Sequence, residues 1–297
     1  MEANDNMQVT AIANFKGGVG KTTTAVNLAA IWADGGYNTL LIDADPQHNA
    51  STFYRCEDDR PTLTDVLRGC YARGETGRSV PFEEVFTPAG RERLWVLPAD
   101  MELLALDLAA MRGEGADMID RLRALLRRAE GDGLFDRVII DCPPSFTAGS
   151  VAALSVAELV ILPTAADAFS AEGAAEMERQ IRTLNGAFTK RLRVLITLGQ
   201  KTRLFAEGEA LLRKRFRCLG TVIRACVKVP ESTYAREPLV DYAPRCTAAV
   251  DYITAAAELE TLLGNTAGEA GGRPGRRIAA PVGGLARNDG TEAERHG

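Results

Sequence analysis

The chain reads as an α/β protein, a doubly wound and mostly parallel sheet with helices on both faces, and three observations carry that reading. Apolar runs of strand length recur along it, amphipathic helical patterns separate them, and the first run turns into a glycine-rich loop that opens a helix. Runs that are apolar throughout suit strands buried on both faces, and parallel neighbours need crossover helices between them.

The strand candidates are residues 9–13, 39–42, 94–97, 138–140, 159–162 and 194–197. Between the first two, residues 23–33 place Ala25, Leu28, Ala29 and Trp32 on one helical face. Residues 170–185 do the same with Ala174, Met177, Ile181 and Leu184 behind Ser170 as an N-cap. A basic helix is expected over 204–216 and a last one over 247–263. Residues 55–93 are richer in Gly, Arg and Glu and less periodic, which reads as a surface excursion. From Gly264 the chain holds nine Gly in 34 residues and no aromatic, too little apolar area to offset its ordering entropy. The expected division is a folded domain over 1–263 and a disordered Gly/Arg-rich tail over 264–297.

A length of 297 residues with 46% hydrophobic and 25% charged residues suits one substantial core. The six cysteines form no CxxC pair and the two histidines are His48 and His296, so a zinc-ligand cluster is not expected and a reducing cytosol fits. Residues 1–8 are polar and carry two acids, unlike a secretory leader, and no run of about 18 apolar residues is present. A cytoplasmic protein is expected. The net charge is −5, yet residues 201–228 carry eight Lys/Arg against two Glu.

The loop itself reads Asn14-Phe15-Lys16-Gly17-Gly18-Val19-Gly20-Lys21-Thr22-Thr23-Thr24. Glycines let backbone N–H groups curl around a phosphate, and the helix dipole points its positive end at the anion. Lys21 can reach the β and γ oxygens and the Thr22 hydroxyl can ligate Mg²⁺. This is the physics of a P-loop. The usual first glycine falls at position 15, where this chain has Phe15, and a second lysine, Lys16, stands just inside the loop.

Two further segments belong with it. Residues 40–47 end a strand in Asp43 and Asp45, carboxylates at i and i+2 that share one face at the sheet edge where open α/β folds bind ligands. Residues 138–144 form a buried strand finishing in Asp141, the pattern of a Walker B acid that holds Mg²⁺, usually through water.

The string Lys-Gly-Gly-x-Gly-Lys-Thr-Thr resembles the deviant Walker A motif of the ParA/MinD family of dimeric ATPases. With the two acidic segments in this order, the resemblance extends to the ParA subgroup over about residues 7–263. Less specific likenesses follow at 161–163, Glu172-Gly173, Val229-Pro230, Glu237-Pro238 and the last helix. The resemblance implies a P-loop NTPase fold with ATP and Mg²⁺ as cofactors. It implies that Gly17, Gly18, Val19, Gly20, Lys21, Thr22 and Thr23 cradle the phosphates, and that Lys16 reaches across a homodimer to the partner's nucleotide. Asp45 would orient or activate the attacking water, Thr22, Asp43 and Asp141 would support the metal, and the backbone near Pro230 would border the adenine.

For the ParA subgroup the implied job is an ATPase of DNA partitioning. Its ATP-bound dimer binds DNA non-specifically on the nucleoid, and a ParB-like partner stimulates an otherwise weak hydrolysis. Non-specific binding needs backbone-directed cations rather than base readout. The candidates are Lys201, Arg203, Arg213, Lys214, Arg215, Arg217, Arg224 and Lys228. The alternative is a MinD-like positioning ATPase acting on a protein cluster or membrane, although residues 264–297 offer only Ile278, Val282 and Leu285 amid Gly and Pro, little for an interfacial helix. Stable membrane association is therefore not expected. A cluster carrier lacks its cysteine pairs and a tyrosine kinase lacks a tyrosine-rich tail. With the loop so near residue 1, the helix-turn-helix domain of longer relatives is not expected.

Two departures stand out. His48 occupies a position where the family usually has Gly, so the loop after Asp45 is expected to bend differently. Residues 197–202 match the family's corresponding segment only loosely.

Overall fold

The computed structural model describes residues 7–57, 59–69, 80–115, 117–167, 170–184 and 192–264. The first half runs β1 (Gln8–Ile12), α1 (Lys21–Asp34), β2 (Thr39–Asp43), α2 (Asn49–Phe53), α3 (Leu63–Arg68), β3 (Thr87–Pro88), β4 (Leu94–Leu97), α4 (Leu103–Met111) and α5 (Met118–Gly131). There follow β5 (Arg137–Asp141), α6 (Ala148–Val156), β6 (Leu159–Ala165), α7 (Ser170–Leu184) and β7 (Leu192–Gly199). The last part holds α8 (Arg203–Arg215), β8 (Cys218–Arg224), α9 (Lys228–Ala235), α10 (Leu239–Tyr242) and α11 (Thr247–Gly264).

The strands make one sheet in the order β3-β4-β2-β5-β1-β6-β7-β8, parallel except for the short β3. Alternation along each central strand explains why both faces are covered. In β5, Val138 and Ile140 join the apolar layer beneath α3, α4, α5, α6, α7 and α8, while Ile139 joins the layer beneath α1, α2, α10 and α11. Each such Leu or Ile removed from water contributes about 1.5–3 kcal/mol, so strands apolar on both sides are held from both directions. Ala25, Leu28, Ala29 and Trp32 are buried on α1 as their spacing implies. On α7 the stripe holds for Ala174, Met177 and Ile181 but fails at Leu184, which is 40% exposed at the helix end.

One expectation is overturned. Within residues 55–93, α3 buries Leu63, Val66 and Leu67, and Val80, Phe82, Val85 and Phe86 enter the same layer, so the described part of this segment is core rather than surface excursion. The low periodicity is that of short pieces: α3 spans six residues, capped by Thr62 and ended by Gly69 at φ 82°. Residues 70–79, and the 264–297 tail beyond its first residue, lie outside the described residues. No helix among the described residues is long and apolar enough to cross a membrane.

Candidate functional site

The chain moves outward from β1 in both directions along the sheet, to β2 and β4 on one side and to β6, β7 and β8 on the other. A crevice opens at such a switch point, at the C-terminal ends of the strands. The glycine-rich loop fills that position, because β1 ends at Ile12 and α1 begins at Lys21. Gly18 and Gly20 take φ of 73° and 88°, left-handed values that side chains disfavour, and no atom lies within 4 Å of where a Cβ would stand. The loop is thus an open cradle at a helix N-terminus.

Several contacts hold that cradle. Asn14 donates through Nδ2 to the Pro163 carbonyl at 2.8 Å, and its Oδ1 accepts from the Lys16 amide at 3.0 Å. Thr197 at the end of β7 donates to the Val19 carbonyl at 2.9 Å. Phe15, standing where the consensus has glycine, meets Phe146 edge to face at 4.8 Å between centroids and ties the loop to the segment after β5.

The two loop lysines point to different places. Lys21 is 8% exposed, and its Nζ donates to the Lys16 carbonyl at 3.2 Å. Burial lowers its pKa, while Asp141 and Asp45 act in the opposite sense. Lys16 is 42% exposed over its side chain and forms an ion pair with Asp167, just past β6.

Parallel register brings the acids together. β2 and β5 are neighbours, and Asp43 and Asp141 are register partners at their ends. Asp43 is fully buried: its Oδ2 accepts from the Ser51 amide at 2.9 Å and hydroxyl at 2.8 Å, and its Oδ1 accepts from the Asp45 amide at 3.1 Å. Burial, partly countered by those hydrogen bonds, pushes its carboxyl up to about 6. Asp141 is equally buried, and neither of its oxygens makes a well-formed hydrogen bond, although the Thr22 hydroxyl stands close enough to favour its charged form. Burial first, then the nearby Asp43, holds its carboxyl well above the usual range, with Thr22 and Lys21 pulling the other way. Asp45 lies at the cavity wall, its Oδ1 accepting from the Gln47 amide at 2.9 Å.

These groups line a cavity of about 720 Å³ that continues past Thr197, Leu198 and residues 223–227 to Val229, Pro230 and Tyr252. Volume and shape suit a mononucleotide, with a phosphate cradle at one end and an apolar wall at the other. No group of three or more His, Cys, Asp or Glu side chains among the described residues could hold a metal unaided. Buried, unpaired carboxylate oxygens at Asp141 beside the Thr22 hydroxyl do fit Mg²⁺, which takes few protein ligands and keeps phosphate oxygens and waters.

His48 bends the following loop as a glycine would. Its φ of 44° is left-handed, and its Nδ1 lies 3.1 Å from the Thr52 hydroxyl. A glycine adopts this left-handed conformation freely, and a side chain takes it against the steric preference. Leu198, at φ 56° on the cavity wall, is a second such position, in the segment that the sequence matched loosely.

The basic stretch does not form one surface. Lys201 precedes α8 and Arg203 starts it at the nucleotide edge, Arg213, Lys214, Arg215 and Arg217 lie at the opposite end, and β8 returns Arg224 and Lys228 to the nucleotide edge. A 13-residue helix is about 20 Å long, which separates the groups. Arg203, Arg213, Arg224 and Lys228 are ion-paired with Glu207, Glu209, Asp251 and Glu231. Arg215 and Arg217 are exposed at the far end, and Arg217 adds to burial in lowering the pKa of Arg193.

Strand order, cradle and paired acids define a P-loop nucleoside-triphosphatase fold with a second lysine in its loop. A family model described as an AAA domain matches residues 7–194. The chain is 34% identical to the chromosome partitioning protein ParA of Caulobacter vibrioides, covering 87% of this chain and 96% of that one. It is 33% identical to the chromosome-partitioning ATPase Soj of Thermus thermophilus, over 84% and 94% of the two chains. The chain belongs to the family of the ParA and Soj ATPases. Its fold matches that of Pyrococcus horikoshii MinD complexed with Mg-ADP, at TM-score 0.69 and 24% identity over 87% of this chain and 98% of that one. It also matches the fold of Cyanothece McdA in an ATP complex, at TM-score 0.69 and 23% identity over 85% and 96%.

Proposed function

We propose that the protein is an ATP-dependent dimerising ATPase of DNA partitioning, whose ATP-bound dimer binds DNA non-specifically and is released when a ParB-like partner stimulates hydrolysis. The observation that carries the reading is the pair of loop lysines with separate destinations. Lys21 is buried inside its own cradle, whereas Lys16 is exposed on the rim, held by a surface ion pair worth about 0–1 kcal/mol. A second protomer's phosphates can compete for such a group at small cost.

In this reading Gly17, Gly18, Val19, Gly20, Lys21, Thr22 and Thr23 hold the β- and γ-phosphates, and Pro230 with its neighbours borders the base. Mg²⁺, held by Thr22 and by Asp141 through water, would neutralise charge on the phosphate oxygens. Asp43 acts at one remove, fixing Ser51 and the Asp45 amide and so the loop that presents Asp45. Asp45 orients the attacking water. The rate enhancement comes from positioning and charge, since phosphoryl transfer asks little covalent chemistry of the protein.

For DNA, the far-end group of Arg215 and Arg217 with Arg193 is favoured over the residues already paired with carboxylates. Like charges gathered in one place are stabilised by phosphate, and contact there leaves the nucleotide edge free for dimerisation. The names of the ParA and Soj relatives support the partitioning role. The test is DNA binding with ATP, ADP or no nucleotide across a salt series. A steep salt dependence seen only with ATP, and weakened in Arg215→Ala/Arg217→Ala, is expected; equal affinity with ADP, or none at all, would defeat the reading. Lys21→Ala should abolish nucleotide binding altogether.

A second reading, a positioning ATPase acting on a protein cluster or membrane, draws on an apolar stripe exposed along α4 and the residues before it: Met101, Leu104, Leu108 and Met111. Co-sedimentation with liposomes in ATP, without DNA binding, would favour it.

A further inference from the structure

Cys226 and Cys246 take no part in the phosphate chemistry, yet they meet at the base end of the cavity. Cys226 follows β8 and lines the cavity between Ala225 and Val227. Cys246 sits in the turn that leads into α11, whose Tyr252 lines the same cavity. Both are free, half-buried thiols, each perturbs the other's ionisation, and Arg224 Nη2 reaches the Thr247 carbonyl at 3.5 Å, which brings the end of β8 to the residue after Cys246.

The approach is held by a frame. Arg224 forks onto Asp251, with Nη2 to Oδ1 at 2.6 Å and Nε to Oδ2 at 2.9 Å, and so joins the end of β8 to α11. The Ala249 amide donates to Cys246 Sγ at 3.4 Å, and the Val229 amide donates to the Cys226 carbonyl at 3.1 Å. Each cysteine thus stands just before a helix, near amides that favour a thiolate. Two thiols so placed, where every cysteine among the described residues is free, suit a transient bond rather than a structural one.

We infer that Cys226 and Cys246 form a reversible disulfide that weakens nucleotide binding at the cavity that Cys226 lines. The effect on binding rests on the nucleotide reading given above; the bond itself does not. The oxidant is of the disulfide class, represented by oxidised glutathione. The Cys226 thiolate attacks one sulfur of the oxidant and displaces one glutathione thiolate, leaving a mixed disulfide on Cys226. The Cys246 thiolate then attacks the Cys226 sulfur and displaces the second glutathione thiolate. Two protein thiols become one disulfide, oxidised glutathione becomes two reduced molecules, and the two thiol protons end on them.

The roles follow from surroundings. Burial opposes the Cys226 thiolate, but hydrogen bonds from the Lys228 amide, the Thr247 hydroxyl and the Ala248 amide outweigh it and leave the thiol below its usual value. Burial, and then Cys226 itself, pushes Cys246 the other way. Cys226 is therefore the attacking thiol and Cys246 the resolving one. Closing the bond draws the sulfurs to about 2.05 Å and pins residues 224–230 to the head of α11. The cavity wall then loses the freedom to settle around a base.

The full chain should be equilibrated with oxidised glutathione, alkylated and mapped by peptide mass spectrometry, with ATP and ADP affinities measured before and after dithiothreitol. The expected result is a Cys226–Cys246 cross-linked peptide, with affinity at least threefold weaker and restored on reduction. Cys246→Ser and Cys246→Ala should keep the reduced affinity and lose the response to oxidant. Glutathione adducts or other pairings without this cross-link would overturn the inference, and so would the cross-link with unchanged affinity. If the reduced chain binds no nucleotide at all, the function proposed above fails instead, while the peptide map still decides the bond.

Discussion

Replacing Asp141 with asparagine should stabilise the nucleotide-free protein and disable it. Both Asp141 oxygens are buried without a well-formed hydrogen bond, and Asp43, also buried, is its register partner. A buried unsatisfied polar group costs about 1–3 kcal/mol, and more when charged. Asparagine keeps the shape and removes the charge, but it leaves its own amide to find partners and deprives Lys21 of a nearby anion. A net gain of about 1–2 kcal/mol is expected, which for a domain of this size raises Tm by about 2–8 °C. Calorimetry at pH 7 without nucleotide measures it. Saturating ATP with Mg²⁺ should reverse the ranking, because the parent gains about 2.7 kcal/mol at a ligand concentration of 100 Kd while the variant gains less. The gap without ligand should also narrow on acidification, since the raised carboxyl then takes up its proton. A variant less stable than the parent without ligand, or stabilised equally by Mg²⁺ and ATP, would refute the reasoning.

Three more outcomes follow from the site. Asp43, raised to about 6, contributes stability fully present below its unfolded value of 3.8 and lost as pH rises through about 6. Urea midpoints of the nucleotide-free protein should therefore fall between pH 5.5 and 7.5, an order that Mg²⁺ and ATP abolish; a rise without ligand contradicts the assignment. Asp45→Ala should trap an ATP-loaded dimer in gel filtration, and turnover at the parent rate would remove Asp45 from the mechanism. His48→Gly relieves a left-handed histidine but loses the Thr52 contact and frees the unfolded chain, so a gain of about 0.5–1 kcal/mol in chemical denaturation is expected, and a loss would show that the side chain matters more than the backbone.

Much of the architecture was legible because the same residues carry the core and the phosphate chemistry. Among the described residues, six of the eight strands are apolar runs, and the glycine loop marks where the first turns into a helix. β8 escaped because Gly220, Thr221 and the basic flanks break its run; as an edge strand it alternates and is only half buried. β3 spans two residues and leaves no pattern. Asp43, Asp45 and Asp141 announced themselves as acids ending strands. Ser51, Thr197 and Cys226 did not, since nothing local ties them to the loop they serve, and only the sheet order brings them there. The basic stretch misled for the opposite reason: residues close in sequence run down α8 and back up β8, which puts them at opposite ends of the molecule.

Sedimentation of the purified chain with ATP, with ADP and without nucleotide, alongside its specific hydrolysis rate at a series of protein concentrations, tests the shared nucleotide most directly. The account predicts a dimer with ATP alone, a rate per chain that rises with concentration, and a Lys16→Ala variant that binds ATP but stays monomeric. A monomer that hydrolyses ATP at one constant rate per chain, with or without Lys16, would contradict it.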